Sequence, residues 1–182
     1  MVEIAARIHP LEGRVFGAGG VDIRPAPPAA RISLRAPASS RAALSECLGL
    51  KLPDRPKTSS ADRARHALWL GPDEWLVIDE NQGDLVGACG RVSARHAAVD
   101  ISHRNTAILV SGDGAEDILS AGCPQDLSLA VFPIGACSRT VLGKAEVVVY
   151  RTGGDAFRVE VWRSFADYAF TLLREAARDL QG

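Results

Sequence analysis

Residues 97–112 read AAVDISHRNTAILVSG, and they place an Asp and a His three residues apart between two short apolar runs. The first run ends at Asp100, and the second begins after His103 and Arg104. A polar loop held between two strands is a common position for binding or catalytic groups. The stretch therefore predicts two strands separated by a polar loop.

Asp100 and His103 have two interpretations. In the functional one, a histidine beside a carboxylate exchanges a proton near neutral pH or contacts a ligand. In the structural one, Asp100 accepts backbone N–H groups at the strand end and His103 hydrogen-bonds across the loop. The sequence has no Gly-x-Ser-x-Gly string that would supply a serine nucleophile, so triad chemistry has no support and the structural interpretation is favoured.

The overall composition is that of a globular protein without a strong charge. The chain has 182 residues, a net charge of −1 and a pI of about 6.4. These values show no excess of positive charge that would attract nucleic acid or an acidic membrane. The apolar runs are far shorter than a spanning helix, and the N-terminus has no basic segment followed by an apolar run. We therefore expect a cytoplasmic protein.

The four cysteines, Cys47, Cys89, Cys123 and Cys137, are widely spaced and form no Cys-x-x-Cys pair. None has a histidine at zinc-finger spacing, which disfavours a structural zinc site. In a reducing cytosol they are interpreted as small buried hydrophobic residues. A reactive thiol is the alternative.

The apolar periodicity predicts an α+β fold made of two similar halves. In the first half, over residues 31–103, the predicted elements are a strand at 31–36, a helix at 41–48 closed by Gly49, strands at 65–70 and 74–79, a helix at 84–88 and a strand near 97–100. The residues Gly71-Pro72-Asp73 predict a tight turn between the two middle strands. This order is the split βαβ arrangement.

The second half, over residues 104–182, begins in the same way. Its predicted elements are a strand at 106–111, a helix at 114–120 capped by Asp113, strands at 137–142, 146–151 and 157–161, and a final helix capped by Ser164. The apolar stripe predicted for that last helix consists of Phe165, Ala169, Leu172, Ala176 and Leu180. We predict that the two halves pack into one unit.

Residues 1–30 differ from the rest of the chain. They scatter Val15, Phe16, Val21 and Ile23 among glycines and prolines, which predicts too little burial for independent order. We expect an extended N-terminal arm that becomes ordered on a partner. A second loose stretch, residues 53–62, is predicted to be a loop.

Three side chains near predicted turns are candidates for contacts with another protein. Trp69 and Trp75 flank the Gly-Pro-Asp turn that contains Asp73, and tryptophans in such positions either fill the core or anchor an interface. Arg163 precedes the last helix, where its charge opposes the positive helix start. We expect it to pair with a carboxylate nearby or on a partner.

Several familiar binding motifs are missing from the sequence. It has no Gly-x-Gly-x-x-Gly with a downstream acid, no phosphate-binding Walker loop and no His, Asp and Glu cluster at metal-ligand spacing. The glycines at 17–20 lack a predicted strand before them and a predicted helix after them. We therefore assign no catalytic, cofactor-binding or metal-ligating residue.

Four strings, in this order, resemble the sarcosine oxidase gamma subunit family, a small relative of the folate-binding fold of aminomethyltransferases. They are LGPDEWLV at 70–77, VDISHR at 99–104, GCPQDL at 122–127 with FP at 132–133, and RSFADY at 163–168. The resemblance covers about residues 30–180. It implies a subunit without its own cofactor, in a complex that oxidises sarcosine to glycine, transfers the one-carbon unit to tetrahydrofolate and makes hydrogen peroxide.

The same resemblance implies larger partner subunits that bind flavins, NAD and folate, and a small partner subunit that binds zinc. The structural or interface candidates within the chain are Trp69, Asp73, Trp75, Asp100, His103, Arg104 and Arg163. The aminomethyltransferases carry an acid in a Gly-Gly-x-x-Asp turn, and the matching turn here has lost one glycine and retains Glu146. This departure implies that the fold is kept and folate chemistry lost.

A free-standing folate-binding transferase or iron–sulfur maintenance protein is the alternative function. The maintenance proteins carry a Lys-Gly-Cys-Tyr-x-Gly-Gln-Glu string, and the sequence around Cys137 does not match it.

Overall fold

The computed structural model of the chain describes residues 9–180, which form four helices and eleven strands in two sheets. The strands are β1 (Phe16–Ala18), β2 (Val21–Pro25), β3 (Ala30–Arg35), β4 (Ser59–Asp62), β5 (Arg65–Gly71), β6 (Glu74–Asp79), β7 (Ala97–Asp100), β8 (Asn105–Gly112), β9 (Cys137–Leu142), β10 (Ala145–Gly153) and β11 (Ala156–Trp162). The helices are α1 (Arg41–Leu48), α2 (Leu85–Gly90), α3 (Ala115–Ser120) and α4 (Ala166–Asp179). Short 3₁₀ turns precede α1 and α4.

The first sheet has the strand order β4-β5-β6-β3-β7, with antiparallel pairing throughout. The elements β3, α1, β5, β6, α2 and β7 follow one another in sequence, so this half is the predicted split βαβ unit. The turn at Gly71-Pro72-Asp73 sets the β5–β6 register, in which Trp69 pairs with Trp75. The predicted fold of the first half is confirmed.

The second sheet has the order β1-β2-β8-β11-β10-β9 and is also antiparallel. The elements β8, α3, β10, β11 and α4 repeat the order of the first half, and β9 takes the edge position that β4 has there. The position equivalent to β7 is filled by β2, which comes from the beginning of the chain. The second half is therefore completed by an N-terminal strand.

This arrangement corrects the prediction for the N-terminal arm. Strand β2 pairs with β8 from Val21, opposite Gly112, to Pro25, opposite Ile108, and Ile23 is fully buried. The expectation that residues 1–30 bury too little to become ordered without a partner is wrong for Val21–Pro25, which pair with β8 of the same chain; residues 1–8 lie outside the described residues. A strand needs only alternate side chains to face inward, and the neighbouring strand supplies its backbone hydrogen bonds.

The molecule has four layers, with helices outside and the two sheets packed on each other. One hydrophobic cluster joins the first sheet to α1 and α2, a second joins the second sheet to α3 and α4, and a third lies between the sheets. Strand β6 is buried along its whole length because Trp75 and Val77 belong to the helix-side cluster while Leu76 and Ile78 belong to the inter-sheet cluster.

Helices α1 and α2 have clear local end signals. Helix α1 has the predicted bounds and ends at Gly49, whose φ of +61° is the left-handed conformation that glycine adopts without strain. Helix α2 begins after Asp84, whose carboxylate accepts a 2.8 Å hydrogen bond from the N–H of Gly87. Ser40 precedes α1 without a side-chain capping bond.

The apolar stripe predicted for α4 is wrong in phase. The buried residues are Ala166, Ala169, Phe170, Leu173 and Ala177, whereas Phe165 and Leu180 are exposed. The residues at Arg163–Phe165 form the 3₁₀ turn, so the predicted Ser164 cap is not found at the helix start. Apolar residues occupy two adjacent ridges of this helix, and spacing alone does not reveal which ridge faces the sheet.

Two smaller predictions also differ from the structure. The loop predicted at residues 53–62 contains β4, which has no apolar alternation and is ordered by pairing with β5 from Ser59, opposite Leu68. Helix α3 has Gly114 rather than Asp113 as its first flanking residue, and no side chain caps it. Both are short segments whose structure depends on their neighbours more than on local propensity.

Candidate functional site

The layer between the two sheets joins the halves and is mostly apolar. Its buried residues are Ala29, Leu68, Leu76, Ile78, Ile101, Cys137, Val148 and Tyr150. They come from both halves, so burial in this layer couples the folding of one half to the other. Burial raises the pKa of the Cys137 thiol to about 12 and also raises the pKa of the Tyr150 phenol.

A network of buried ion pairs crosses this layer. The Arg31 guanidinium on β3 donates from Nε to Glu160 Oε2 at 2.7 Å and from Nη2 to Oε1 at 3.3 Å. The Arg158 guanidinium donates from Nε to the same carboxylate at 2.8 Å and from Nη1 to Glu80 at 2.6 Å. Arg31, Arg158 and Glu160 are at most 3% exposed, so their charges depend on one another for solvation.

A second carboxylate at the edge of the layer also bridges two arginines. Glu74, 9% exposed on β6, accepts a 2.8 Å hydrogen bond from Arg35 and another from Arg139 on β9. Arg35 belongs to the first half and Arg139 to the second. This bridge therefore joins the halves at a second point.

A small cavity lies between the two carboxylate centres. It has a volume of about 60 Å³ and is lined by Glu74, Trp75, Arg139, Glu160 and Trp162 among others. Ligand pockets for small organic molecules are typically about 300–1,000 Å³. A cavity needs about 10–15 Å³ to hold one water molecule, so the inter-sheet cavity has room for a few.

Glu146 lies at the rim of this cavity. It is the second residue of β10, it pairs with Val141 across the β9–β10 turn, and its side chain is exposed. The nearby cavity wall includes the Arg139 guanidinium, which is already bonded to Glu74. The Glu146 carboxylate is therefore exposed to solvent, and the nearby Arg139 is already paired with Glu74.

The β5–β6 hairpin brings Trp69, Asp73 and Trp75 together. Trp75 is 1% exposed, and its indole N–H donates to the Pro53 carbonyl at 2.7 Å, which makes it a core residue. Trp69 is half-buried against the helix-side core, and Asp73 is exposed at the turn. The Asp73 carbonyl accepts the Ala36 N–H at 3.0 Å, so the turn is tied to the end of β3.

The loop between β7 and β8 places Asp100 and His103 differently. Asp100 Oδ1 accepts the backbone N–H of Ser102 at 2.8 Å, in keeping with the structural interpretation of this carboxylate. Ser102 Oγ accepts the N–H of Arg31 at 2.8 Å, which fastens the loop to β3. His103 is exposed at the tip of the loop.

The same loop contacts the start of the last helix. The Arg104 guanidinium lies over the Trp162 ring at 5.0 Å, and the Arg104 carbonyl accepts the N–H of Arg163 at 2.7 Å. Stacking of this kind holds an arginine in place without neutralising it. The structure thus brings together Arg104 and Arg163, which lie far apart in the sequence.

Sequence patterns alone do not single out Arg31, Arg158, Glu160 or Glu74. A signal was present in β11, where Phe157-Arg158-Val159-Glu160-Val161 alternates charged and apolar residues. Such alternation normally predicts a strand with one face on the core and its charged face in water. Only the stacking of a second sheet on that face turns the charges into a buried network.

The segment between α3 and β9 presents a different kind of surface, which we call the 124–136 loop. Its side chains Leu129, Val131 and Ile134 are 53%, 51% and 61% exposed. The sequence from Leu127 to Ser138 contains no charged residue. Several large exposed aliphatic side chains on one short segment are unusual on a surface that stays in water.

Buried anchors hold the 124–136 loop in place. Phe132 is fully buried, and its N–H donates to the Ser128 carbonyl at 2.8 Å. The buried Arg151 guanidinium donates to the Leu127 carbonyl and, at 2.8 Å, to Glu116 on α3. The loop is consequently an ordered platform rather than a loose connection.

Some kinds of site are absent from residues 9–180. Their His, Cys, Asp and Glu side chains do not gather in groups of three or more that could hold a metal ion. Within the same range, no helix is both long and apolar enough to cross a membrane.

Comparison with solved structures gives the same architecture. A chain of the heterotetrameric sarcosine oxidase from Corynebacterium sp. U-96, solved in complex with pyrrole 2-carboxylate, matches with a TM-score of 0.84 at 26% identity, covering 97% of each chain. The glycine cleavage system aminomethyltransferase T from Bartonella henselae matches with a TM-score of 0.62 at 14% identity, covering 91% of this chain and 47% of that one. The second likeness shows the fold, in agreement with the predicted aminomethyltransferase-like architecture.

Comparison of sequences identifies the family. The sarcosine oxidase subunit gamma of Arthrobacter sp. is 33% identical over 78% of this chain and 72% of its own length. That of Corynebacterium sp. strain U-96 is 30% identical over 95% of this chain and 86% of its own length. The model of the sarcosine oxidase, gamma subunit family matches residues 33–179. The chain belongs to the sarcosine oxidase gamma subunit family.

Proposed function

We propose that this chain is a non-catalytic gamma subunit that supports assembly of a heterotetrameric sarcosine oxidase. The complex would demethylate sarcosine oxidatively to glycine, with tetrahydrofolate as one-carbon acceptor and release of hydrogen peroxide. Larger subunits would hold the flavins, NAD and folate, and a small subunit the zinc. Family membership and the likeness to a chain of a heterotetrameric enzyme support this role.

The observation that carries the assembly role is the 124–136 loop. An interface core is depleted of charge and enriched in apolar side chains, as the exposed Leu129, Val131 and Ile134 are. Because Phe132 and Arg151 already fix the loop, little conformational entropy is lost when a partner covers it. We assign this loop to contact with another subunit of the oxidase.

The inter-sheet layer supports a non-catalytic role for the chain itself. Its cavity of about 60 Å³ is small for a pterin ring system, and the Glu74 and Glu160 carboxylates beside it are bonded to arginines. Glu146, the only remnant of the acidic turn of the aminomethyltransferases, lies exposed at the rim. These features favour the subunit role over a free-standing folate-binding transferase.

A titration separates these two functions. The purified full chain is titrated with tetrahydrofolate under anaerobic conditions, and binding is followed by calorimetry. The subunit role predicts no saturable heat up to millimolar ligand, where binding would supply only about 4 kcal/mol. Micromolar binding, or one-carbon transfer by the chain alone, would establish the alternative.

A variant of the assembled complex tests whether this chain takes part in catalysis. Complexes that contain the chain with Glu146→Gln should oxidise sarcosine and transfer the one-carbon unit at the wild-type rate per assembled complex. A group that takes part in proton transfer typically contributes about 10²–10⁴-fold to the rate. A loss of that size in a fully assembled complex would make this chain catalytic.

A further inference from the structure

Two of the free cysteines are neighbours on two helices that pack against each other. Cys47 lies near the end of α1 and Cys89 near the end of α2. The Cys47 and Cys89 side chains are close enough to affect each other's pKa, and the Cys47 thiol donates a hydrogen bond to the Leu44 carbonyl at 3.2 Å. The two thiols belong to the same helix-side hydrophobic cluster.

The two cysteines differ in their exposure to solvent. Cys47 is partly exposed and opens into a surface depression that Glu46, Arg91 and Val92 help to line. Cys89 is fully buried behind it. A small oxidant from solvent therefore meets Cys47 first, and Cys89 lies in the core behind it.

We propose that Cys47 and Cys89 form a reversible oxidation site, in which a hydroperoxide converts the two thiols into a disulfide that links α1 to α2. The proposed function supplies the source of the oxidant, since the complex would release hydrogen peroxide. The chemistry of the site depends only on this chain.

The reaction has two balanced steps. The Cys47 sulfur attacks one peroxide oxygen, the O–O bond breaks, and the leaving hydroxide takes the thiol proton to become water, which leaves a sulfenic acid on Cys47. The Cys89 sulfur then attacks the Cys47 sulfur, the S–O bond breaks, and the hydroxyl leaves with the Cys89 proton as a second water. Two thiols lose two electrons, and the peroxide is reduced to two waters.

The surroundings set the rate and the selectivity. Burial raises the pKa of both thiols, that of Cys89 to about 11, so little thiolate is present at neutral pH and oxidation should accelerate as pH rises. The other two cysteines contact oxygen atoms instead: Cys123 lies 3.9 Å from the Thr140 hydroxyl, and Cys137 donates to the Thr58 carbonyl at 3.2 Å. Cys123 and Cys137 therefore serve as internal controls for the Cys47 and Cys89 pair.

The test treats the full chain with hydrogen peroxide at pH 7 and pH 9, then unfolds and alkylates it for mass spectrometry. The proposal predicts a mass loss of about 2 units before alkylation. Two alkylated thiols should remain, and a peptide should join Cys47 to Cys89. Dithiothreitol should restore four thiols, and the reaction should be faster at pH 9.

Serine variants supply the controls. Cys47→Ser and Cys89→Ser should each abolish the linked peptide, whereas Cys123→Ser should form it at the wild-type rate. Oxidation of Cys47 to sulfinic or sulfonic acid without linkage, a disulfide that involves Cys123 or Cys137, or four unreacted thiols at pH 9 would each overturn the proposal. Because the isolated chain is used, failure here leaves the assembly role untouched, and failure of assembly leaves this result intact.

Discussion

The Arg31 guanidinium and the Glu160 carboxylate form a buried two-point ion pair between the halves of the molecule, with Nε and Oε2 2.7 Å apart. Arg31 belongs to β3 of the first sheet and Glu160 to β11 of the second. Charged groups removed from water on both sides of an interface are stable only while they satisfy each other. The apolar layer holds the two sheets together, and the ion pair favours the one packing arrangement in which both charges are satisfied.

Neutralising Glu160 should destabilise the protein strongly. In Glu160→Gln the Arg31 and Arg158 guanidiniums remain buried and lose their shared carboxylate, which should lower the free energy of unfolding by about 3–5 kcal/mol. Urea unfolding of the purified chain measures this. Glu175→Gln is the matched control, because Glu175 also contacts two arginines, Arg174 and Arg178, but on the exposed face of α4.

The control should change the free energy of unfolding by less than about 1 kcal/mol. Equal effects of the two glutamine variants would mean that the inter-sheet ion pairs are no more important than those on the surface.

The N-terminal strand should contribute to the stability of the isolated chain. Ile23→Ala removes a fully buried side chain from β2 and should cost about 2–5 kcal/mol in the free energy of unfolding. Val15→Ala, at a side chain 66% exposed in the same segment, should cost less than about 0.5 kcal/mol. An N-terminal segment that becomes ordered only on a partner would instead leave the melting temperature of both variants at the wild-type value.

His66 should make stability depend on pH. Burial lowers its pKa below the ordinary value of 6.5, and its Nδ1 is buried without a hydrogen-bond partner. The unfolded chain therefore binds more protons than the folded chain as pH falls through 6.5, so stability is present above that pH and is lost below it.

The His66→Phe variant tests this by keeping a ring against Tyr150, whose centroid lies 5.7 Å from that of His66. Its melting temperature should fall less than that of the wild type between pH 7.5 and pH 5.5. His9, whose pKa burial also lowers, contributes with the same sign and should retain its share in the variant. Identical pH profiles for the two proteins would contradict a role for His66.

The elements with local signals were predictable from the sequence. Helix α1 ends where Gly49 takes the left-handed conformation, and the β5–β6 hairpin turns at Gly71-Pro72-Asp73. Each depends on residues within a few positions of one another. Turn and cap chemistry is encoded at that range, so the end of α1 and the turn between β5 and β6 could be predicted from the sequence.

The elements that depend on distant partners were not predictable in the same way. Strand β2 is ordered by β8, in which Ile108 lies opposite Pro25, more than eighty positions along the chain. In the second sheet, β2 takes the position beside β8 that β7 takes beside β3 in the first sheet. This exchange of a strand between distant parts of the chain leaves no local signal in β2 itself.

The candidate site was predicted only in part. Trp75, Asp100 and Arg104 were named as structural or interface candidates, and the structure gives each of them a contact within the chain. The Arg31 and Glu160 centre was missed because a charged residue in a strand is expected to face water. The two sheets stack on that face, and the sequence pattern of one strand does not reveal this.

The surface that another subunit would cover gives the most direct test of the assembly role. A variant with Leu129→Asp, Val131→Asp and Ile134→Asp places charges on the 124–136 loop without touching its buried anchor Phe132. A matched variant with Val15→Asp, Val86→Asp and Val99→Asp changes three side chains that are 66%, 40% and 57% exposed elsewhere. Circular dichroism and melting of the isolated chains establish that both variants fold.

The decisive measurement is the amount of the other oxidase subunits that co-purifies with each tagged chain when the subunits are expressed together. The assembly role predicts that the loop variant loses at least about tenfold in recovered partner, which corresponds to 1.4 kcal/mol of binding. The matched variant should recover the wild-type amount. Wild-type recovery of the partner subunits by the folded loop variant would contradict the assignment of this surface to assembly.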